Sequence, residues 1–288
     1  MGGASAKIII FLELGGKSRN FAQMKLIVDC GATKAEWLLS SGKSLRTAGF
    51  NLQQTPPEQL DAVLREASSG LGPGVREVYF YAAGLVGEVP IDWGKWFPGA
   101  RVECASDMLG AARAVCGTQQ GLAAIIGTGA NTCQYNGSAI VHKVSCGGFI
   151  LGDEGSAAVL GKLFVADYLR NLVPPDVATA FEAQFPADYP TLVRNVYVAP
   201  GPARYLGGFA PFLMQHYAAS EYVRDLVDGN FRRFFERVLS LYPSLPLGVV
   251  GGFGHACEAI LRRLGAEYGV RFSRFLRSPM EGLAAYHF

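Results

Sequence analysis

Several short segments of this chain place small residues, hydroxyls and carboxylates where phosphate chemistry would need them. The first is Asp29-Cys30-Gly31-Ala32-Thr33-Lys34, which follows the apolar run Lys25-Leu26-Ile27-Val28. Small residues let successive backbone N–H groups approach and surround phosphate oxygens. Thr33 adds a hydroxyl donor, and Asp29 at the strand end is suited to a hydrated Mg2+. The plainer reading is an ordinary strand turn with an Asp cap. The second segment, Gly127-Thr128-Gly129-Ala130-Asn131, has the same character after Leu122–Ile126. Two such clips from two domains could hold one triphosphate between them.

Asp107 precedes Met108-Leu109-Gly110-Ala111 and reads either as a helix N-cap or as a general base. A carboxylate within hydrogen-bond reach of a hydroxyl accepts its proton as a γ-phosphoryl group transfers. Gly147-Gly148-Phe149-Ile150-Leu151-Gly152-Asp153-Glu154-Gly155 is too glycine-rich for a core strand. It puts two carboxylates in a loop ahead of a helix, where polyol hydroxyls or the helix dipole could engage them. Gly251-Gly252-Phe253-Gly254 lies between a strand and a helix, a geometry suited to a nucleotide over the loop. It is not the GxGxxG dinucleotide fingerprint. His142, His216, His255 and His287 are isolated from any nucleophile at recognisable spacing and read as structural. Phe231, Phe234 and Phe235, with Val238 and Leu239, have helical spacing and read as core.

The elements that must position these residues are legible in outline. The chain has 288 residues, 50% hydrophobic, enough for one large core or two medium ones. A net charge of +2 with no run of like charge gives no reason to expect nucleic acid or a membrane surface as partner. Six cysteines, none in a CxxC pair, fit neither a zinc site nor a disulfide framework, and suggest a reducing, cytoplasmic setting. The apolar stretch Ile8–Leu12 is too short to span a membrane and has no cleavage site after it. Residues 1–23 therefore read as an upstream extension, with Met24 starting the first strand.

Strands are expected at 25–28, 75–82, 102–105, 122–126 and 247–250. Hairpins are expected around Ser41-Gly42-Lys43 and Asn136-Gly137. Helices follow Pro56-Pro57 and Asp107, fill about 156–243, follow the Gly251 loop and close the chain. Each half thus begins with an apolar strand, a small-residue turn and a hairpin, then alternates strands with helices. The pattern is α/β, with a cleft expected between two facing halves.

In this order the motifs resemble the N-acetylglucosamine kinase and BadF/BadG/BcrA/BcrD-type ATPase family of the actin/hexokinase/Hsp70 superfamily. The likeness runs from Met24 onward. It implies two RNase-H-like, actin-like ATPase domains with an interdomain cleft: 24–117, joined by the final helix 278–288, and 118–277 with a helical insertion. It implies ATP and Mg2+ as cofactors and an amino sugar as acceptor, and it is compatible with a homodimer. On the matching positions, Gly31, Ala32, Thr33, Lys34, Gly127, Thr128 and Gly129 would bind ATP phosphates. Gly251, Gly252 and Phe253 would bind adenosine. Asp107 would be the catalytic base, and Asn51, Asp107, Thr128, Gly148 and Asp153 would contact sugar. Asp29 would hold the metal through water. Ala32 and Ala130 stand where the family usually has Gly or Ser, and Phe149 where N-acetylglucosamine kinases commonly have Trp. Two other functions remain open at this level: a BadF-like ATPase activating a dehydratase, and a non-catalytic sugar sensor on a kinase scaffold.

Overall fold

The computed structural model describes residues 9–10, 24–31, 34–52, 55–85, 89 and 91–288. Most of the 1–23 stretch, together with Ala32 and Thr33, lies outside the described residues. Packing separates the described residues into two units. The first holds those up to 119, with 137–140 and 279–288, and the second holds 120–136 and 141–278.

The first unit is built on β1 (Ile9–Ile10), β2 (Met24–Cys30), β3 (Lys34–Leu39), β4 (Ser44–Ala48), β5 (Val75–Ala82) and β6 (Arg101–Ser106). Their order in the sheet is β1-β6-β5-β2-β3-β4. Leu26, Ile27 and Val28 are fully buried, as expected of a central strand covered on both faces. β2 runs antiparallel to β3 and parallel to β5, which puts Asp29 beside Glu36 on one side and Tyr81 on the other. Helix Pro57–Leu71 buries Leu60, Leu64, Ala67 and Leu71 at helical spacing.

The second unit repeats this plan with β7 (Gln120–Ile126), β8 (Ala130–Asn136), β9 (Ile140–His142), β10 (Leu247–Val250) and β11 (Phe272–Leu276), ordered β11-β10-β7-β8-β9. In both sheets the earliest long strand is central. Its hairpin neighbours lie on one side and parallel strands on the other. The Asn136-Gly137 turn joins β8 to β9, with Gly137 at φ +96°. A Cβ there would stand 2.4 Å from the Thr118 carbonyl oxygen.

Between β9 and β10 the chain is largely helical from Ala157 to Arg237, as the Pro-punctuated pattern suggests. Its core is aromatic: Phe164, Phe181, Phe212, Phe231 and Phe234 are all within 2% of full burial, and the Phe164 and Phe181 rings meet edge to face at 4.9 Å. The final helix, Met280–His287, packs on helix Asp107–Cys116 of the first unit, with Gly282 against Ala114.

Two elements escape the sequence pattern. β11 is an edge strand carrying Arg274 and lacking clean alternation. Trp93–Trp96 is a single turn whose cap, Asp92, accepts from Lys95 N at 3.3 Å. No helix among the described residues is long and apolar enough to cross a membrane.

Candidate functional site

In the second unit, β7 and β10 are parallel and in register, Val250 beside Ile125. The loops that follow them leave the sheet at the same end, the usual ligand edge of parallel strands. Gly251 sits at φ +127°. A Cβ on it would lie 2.4 Å from the Ile126 carbonyl oxygen and 3.3 Å from Gly127 N, so only glycine lets these loops touch. The Gly127 and Thr128 carbonyls accept from Ala157 N and Ala158 N, both at 3.0 Å. The first turn of helix Ala157–Tyr168 is therefore turned onto this loop. The N–H groups of Thr128 and Gly129 donate to no described residue. Thr128 is exposed.

Asp153 arrives at the same place from the glycine-rich segment. Gly148, at φ +71° and exposed, opens a single helical turn, Gly148–Leu151. At Gly152 a Cβ would meet the Cys146 carbonyl oxygen at 1.9 Å, and Asp153 N donates to that same oxygen at 3.0 Å. Asp153 itself takes φ +55°, a left-handed conformation that a non-glycine residue adopts only when its surroundings hold it there. Its carboxylate accepts from the Ala130 backbone N–H. It presses so close to Gly129 that a Cβ there would be 2.9 Å from Oδ2. Burial raises the Asp153 pKa, the Ala130 amide pulls it down, Glu154 raises it and Lys162 lowers it.

The surroundings of Asp153 are braced. Lys162 Nζ donates to the Phe149 carbonyl at 2.5 Å. Glu154 pairs with Arg237 at 3.3 Å. Fully buried Asn230 accepts from Gly155 N at 3.2 Å and donates to the Ser156 carbonyl at 3.1 Å. A cavity of about 180 Å3 beside Asp153 is lined by Asn131, Ser145, Cys146, Glu154 and Arg237 among others. Asn230 is absent from the sequence reading, yet it stands at a core-facing position between Val227, Phe231 and Phe234. A polar residue on an apolar stripe was the available signal.

The Gly251 loop opens a short helix, Gly252–Ala256. Gly252 is exposed, and half-buried Phe253 stacks on Phe231 with ring centroids 5.6 Å apart. The second unit thus brings together Gly127, Thr128, Gly129, Asp153 and the start of the Gly251 loop.

In the first unit Asp29 and Asp107 stand near each other at the ends of β2 and β6. Asp107 is not the cap of its helix. That role belongs to Ser106, whose Oγ accepts from Leu109 N at 3.2 Å. Asp107 occupies the first helical position, where Oδ1 accepts from Met108 N at 2.7 Å. The dipole favours a carboxylate there. Burial, then the charges of Asp107 and Glu36, push the Asp29 pKa up to about 7, against a smaller opposing pull from Lys34. Glu36 is itself held by Lys34 at 2.9 Å and Arg46 at 3.1 Å, so the Lys34 ammonium is engaged within the protein. Gly31 N donates to the Lys34 carbonyl at 3.0 Å. Asn51 N donates to Thr55 Oγ1 at 3.0 Å, and the Asn51 amide faces the Gly84 turn. Cys30 is fully buried with its pKa pushed up to about 12, which removes it as a nucleophile. His287, read from sequence as structural, is buried and bonded to Tyr81.

No family model matches the sequence, and no curated protein matches it. Solved structures do. A Porphyromonas gingivalis protein provisionally described as an N-acetylglucosamine kinase is 39% identical, with a TM-score of 0.85 over 91% of this chain and 98% of that one. A Chromobacterium violaceum protein with the same provisional description aligns at 18% identity and TM-score 0.66, covering 92% and 98% of the two chains. A Streptomyces griseus ROK family glucokinase, solved with glucose and AMPPNP, aligns at 18% identity and TM-score 0.52, covering 91% and 97%. The last two share the fold alone. By its identity to the Porphyromonas protein over nearly the whole of both, this chain belongs to the same family as that provisionally described N-acetylglucosamine kinase.

Proposed function

We propose that the protein is an ATP-dependent kinase that transfers the γ-phosphoryl group to a hydroxyl of an amino sugar, N-acetylglucosamine at its 6-hydroxyl being the first acceptor to try. The observation that carries this reading is the convergence, at one end of β7 and β10, of three segments distant in sequence: Gly127–Ala130, Asp153 and the Gly251 loop. The first supplies free N–H groups, the second a braced carboxylate, the third a close backbone turn. On this reading the units are RNase-H-like domains. Thr128 and Gly129 bind phosphate oxygens, Asp153 and Asn51 bind sugar hydroxyls, and the Gly251–Phe253 turn receives adenosine.

Asp107 acts as the base. Its carboxylate takes the proton of the acceptor hydroxyl while the new O–P bond forms and the bond from the γ-phosphorus to the ADP oxygen breaks. The residues present fit Mg2+ held through water. Asp29 is buried beside Asp107, while the Glu36 charge on its other side is met by Lys34 and Arg46, so the Asp29–Asp107 pair is what a cation would relieve. Mg2+ in this class of reaction neutralises charge on the β- and γ-phosphates; Asp29 would orient its water shell. The dehydratase-activator reading gains nothing: Cys133 is fully buried, and Cys146 stands exposed.

The test is a coupled ADP-release assay over a panel of amino sugars with Mg2+. Sugar-dependent ADP release is expected, and Asp107→Asn is expected to lower turnover by roughly 10²–10⁴. Tight sugar binding without sugar-dependent ADP release would replace the kinase reading with a sensor.

A further inference from the structure

The first unit contains a buried polar network that phosphoryl transfer does not itself call for. Arg113, near the end of the helix that Asp107 begins, is 4% exposed. Its Nη1 donates both to the Tyr81 hydroxyl and to Glu103 Oε1, each at 2.7 Å. The Tyr81 hydroxyl lies 2.6 Å from His287 Nε2. With the guanidinium donating to that oxygen, the hydroxyl keeps its own proton for Nε2 when the neutral imidazole carries its hydrogen on Nδ1. Tyr79 stacks on the same ring at 3.7 Å, and Lys25 Nζ donates to the His287 carbonyl at 2.6 Å. Tyr81 is thus the node joining β5, helix Asp107–Cys116 and the final helix.

Two close approaches set how that helix sits. A Cβ on Gly110 would be 2.8 Å from Tyr81 Cδ1, and a Cβ on Gly282 would be 2.2 Å from the Ala114 carbonyl oxygen. Asp107, Gly110 and Ala114 are spaced i, i+3, i+7, one stripe of the helix surface. Asp107 is the N-terminal end of the stripe that Tyr81 and the final helix grip. Tyr81 is also the register partner of Asp29 across β2 and β5.

We propose that Tyr81, hydrogen-bonded between Arg113 and His287, is a positioning residue that sets where the Asp107 carboxylate stands. The proposal rests on Asp107 being the proton acceptor of the kinase reading. The contacts of Gly110 and Gly282 permit small rotation about the helix axis, because they are van der Waals contacts. The directional bonds from Arg113 through Tyr81 to His287 do not. Removing the hydroxyl keeps the ring beneath Gly110 and deletes only the directional restraint. A misplacement of about 1 Å at a reacting group costs up to about 100-fold in rate.

The experiment compares wild type, Tyr81→Phe, His287→Phe and the double variant in the ADP-release assay, with Asp107→Asn in parallel and thermal melting of each. Tyr81→Phe is expected to lower kcat about 10- to 100-fold while the KM values for ATP and sugar move less than about threefold. The double variant, in which the Tyr81–His287 pair becomes two apolar rings while Arg113 keeps Glu103, is expected to regain part of the melting temperature lost in Tyr81→Phe but not kcat. That separation is one a merely structural role would not produce. A folded Tyr81→Phe enzyme with wild-type kcat, or a kcat that recovers along with the melting temperature, overturns the proposal while leaving Asp107 as base. Should Tyr81→Phe fail to fold, His287→Phe carries the same comparison. An Asp107→Asn enzyme with undiminished turnover removes the base assignment, and this proposal with it.

Discussion

Gly129→Ala isolates the contact on which the second-unit site turns. The new methyl would be placed 2.9 Å from Asp153 Oδ2. An ordinary contact is about 3.4 Å or more, so the carboxylate must retreat by roughly half an ångström. Gly129 has no left-handed φ, so the backbone accepts alanine and the fold is expected to persist. What suffers is the bond from Ala130 N–H to the Asp153 carboxylate. A hydrogen bond to a charged group contributes about 1.5–3 kcal/mol, and partial loss would be about 1–2 kcal/mol. Initial rates over a range of sugar concentrations should show the acceptor KM rising about 5- to 30-fold. The same lost bond lets burial push the Asp153 pKa higher, so the acid limb of the rate profile should move to higher pH. If the effect runs through Asp153, Gly129→Ala and Asp153→Ala must be strongly non-additive in a double-mutant cycle. Additive effects, or an unchanged acceptor KM in Gly129→Ala, would refute the argument that this carboxylate is held for the sugar.

Gly251→Ala should fail differently: with a carbonyl oxygen 2.4 Å from the new methyl and φ at +127°, it should cost about 3 kcal/mol or more of stability, read as a lower Tm. Asn230→Leu orphans the Gly155 N–H; a loss of about 1–3 kcal/mol in chemical denaturation is expected, with a raised sugar KM because the Asp153 loop loosens. His287 is held neutral, its pKa pushed down to about 3 by burial and by Arg113 and Lys25. Below pH 6.5 the unfolded chain therefore binds a proton that the folded one does not, and stability falls with falling pH. Between pH 7.5 and 5 this term is worth about 2 kcal/mol, so the stability of His287→Phe relative to wild type should improve by about that much over the interval. A pH-independent difference would show that His287 takes up its proton in the fold.

The sequence by itself determined the alternation of strands and helices, because buried strands such as Leu26-Ile27-Val28 and Leu247–Val250 must be apolar on both faces. It also placed the two hairpins, because Gly42 and Gly137 take φ values that few other residues accept. It marked the glycine-rich turns as sites of close backbone approach. It could not say what those turns approach. That Gly251 abuts Ile126, that Asp153 presses on Gly129, and that the cap before the first-unit helix is Ser106 rather than Asp107 are decided by contacts between segments remote in the chain, or by one residue of helical phase. Neither leaves a periodic trace. The roles of Asn230 and His287 were hidden for the same reason. A single polar residue among apolar neighbours reveals burial, but its partners are chosen only when β5, helix Asp107–Cys116 and the final helix, or helix Glu221–Arg237 and the loop before Ser156, come to lie against one another.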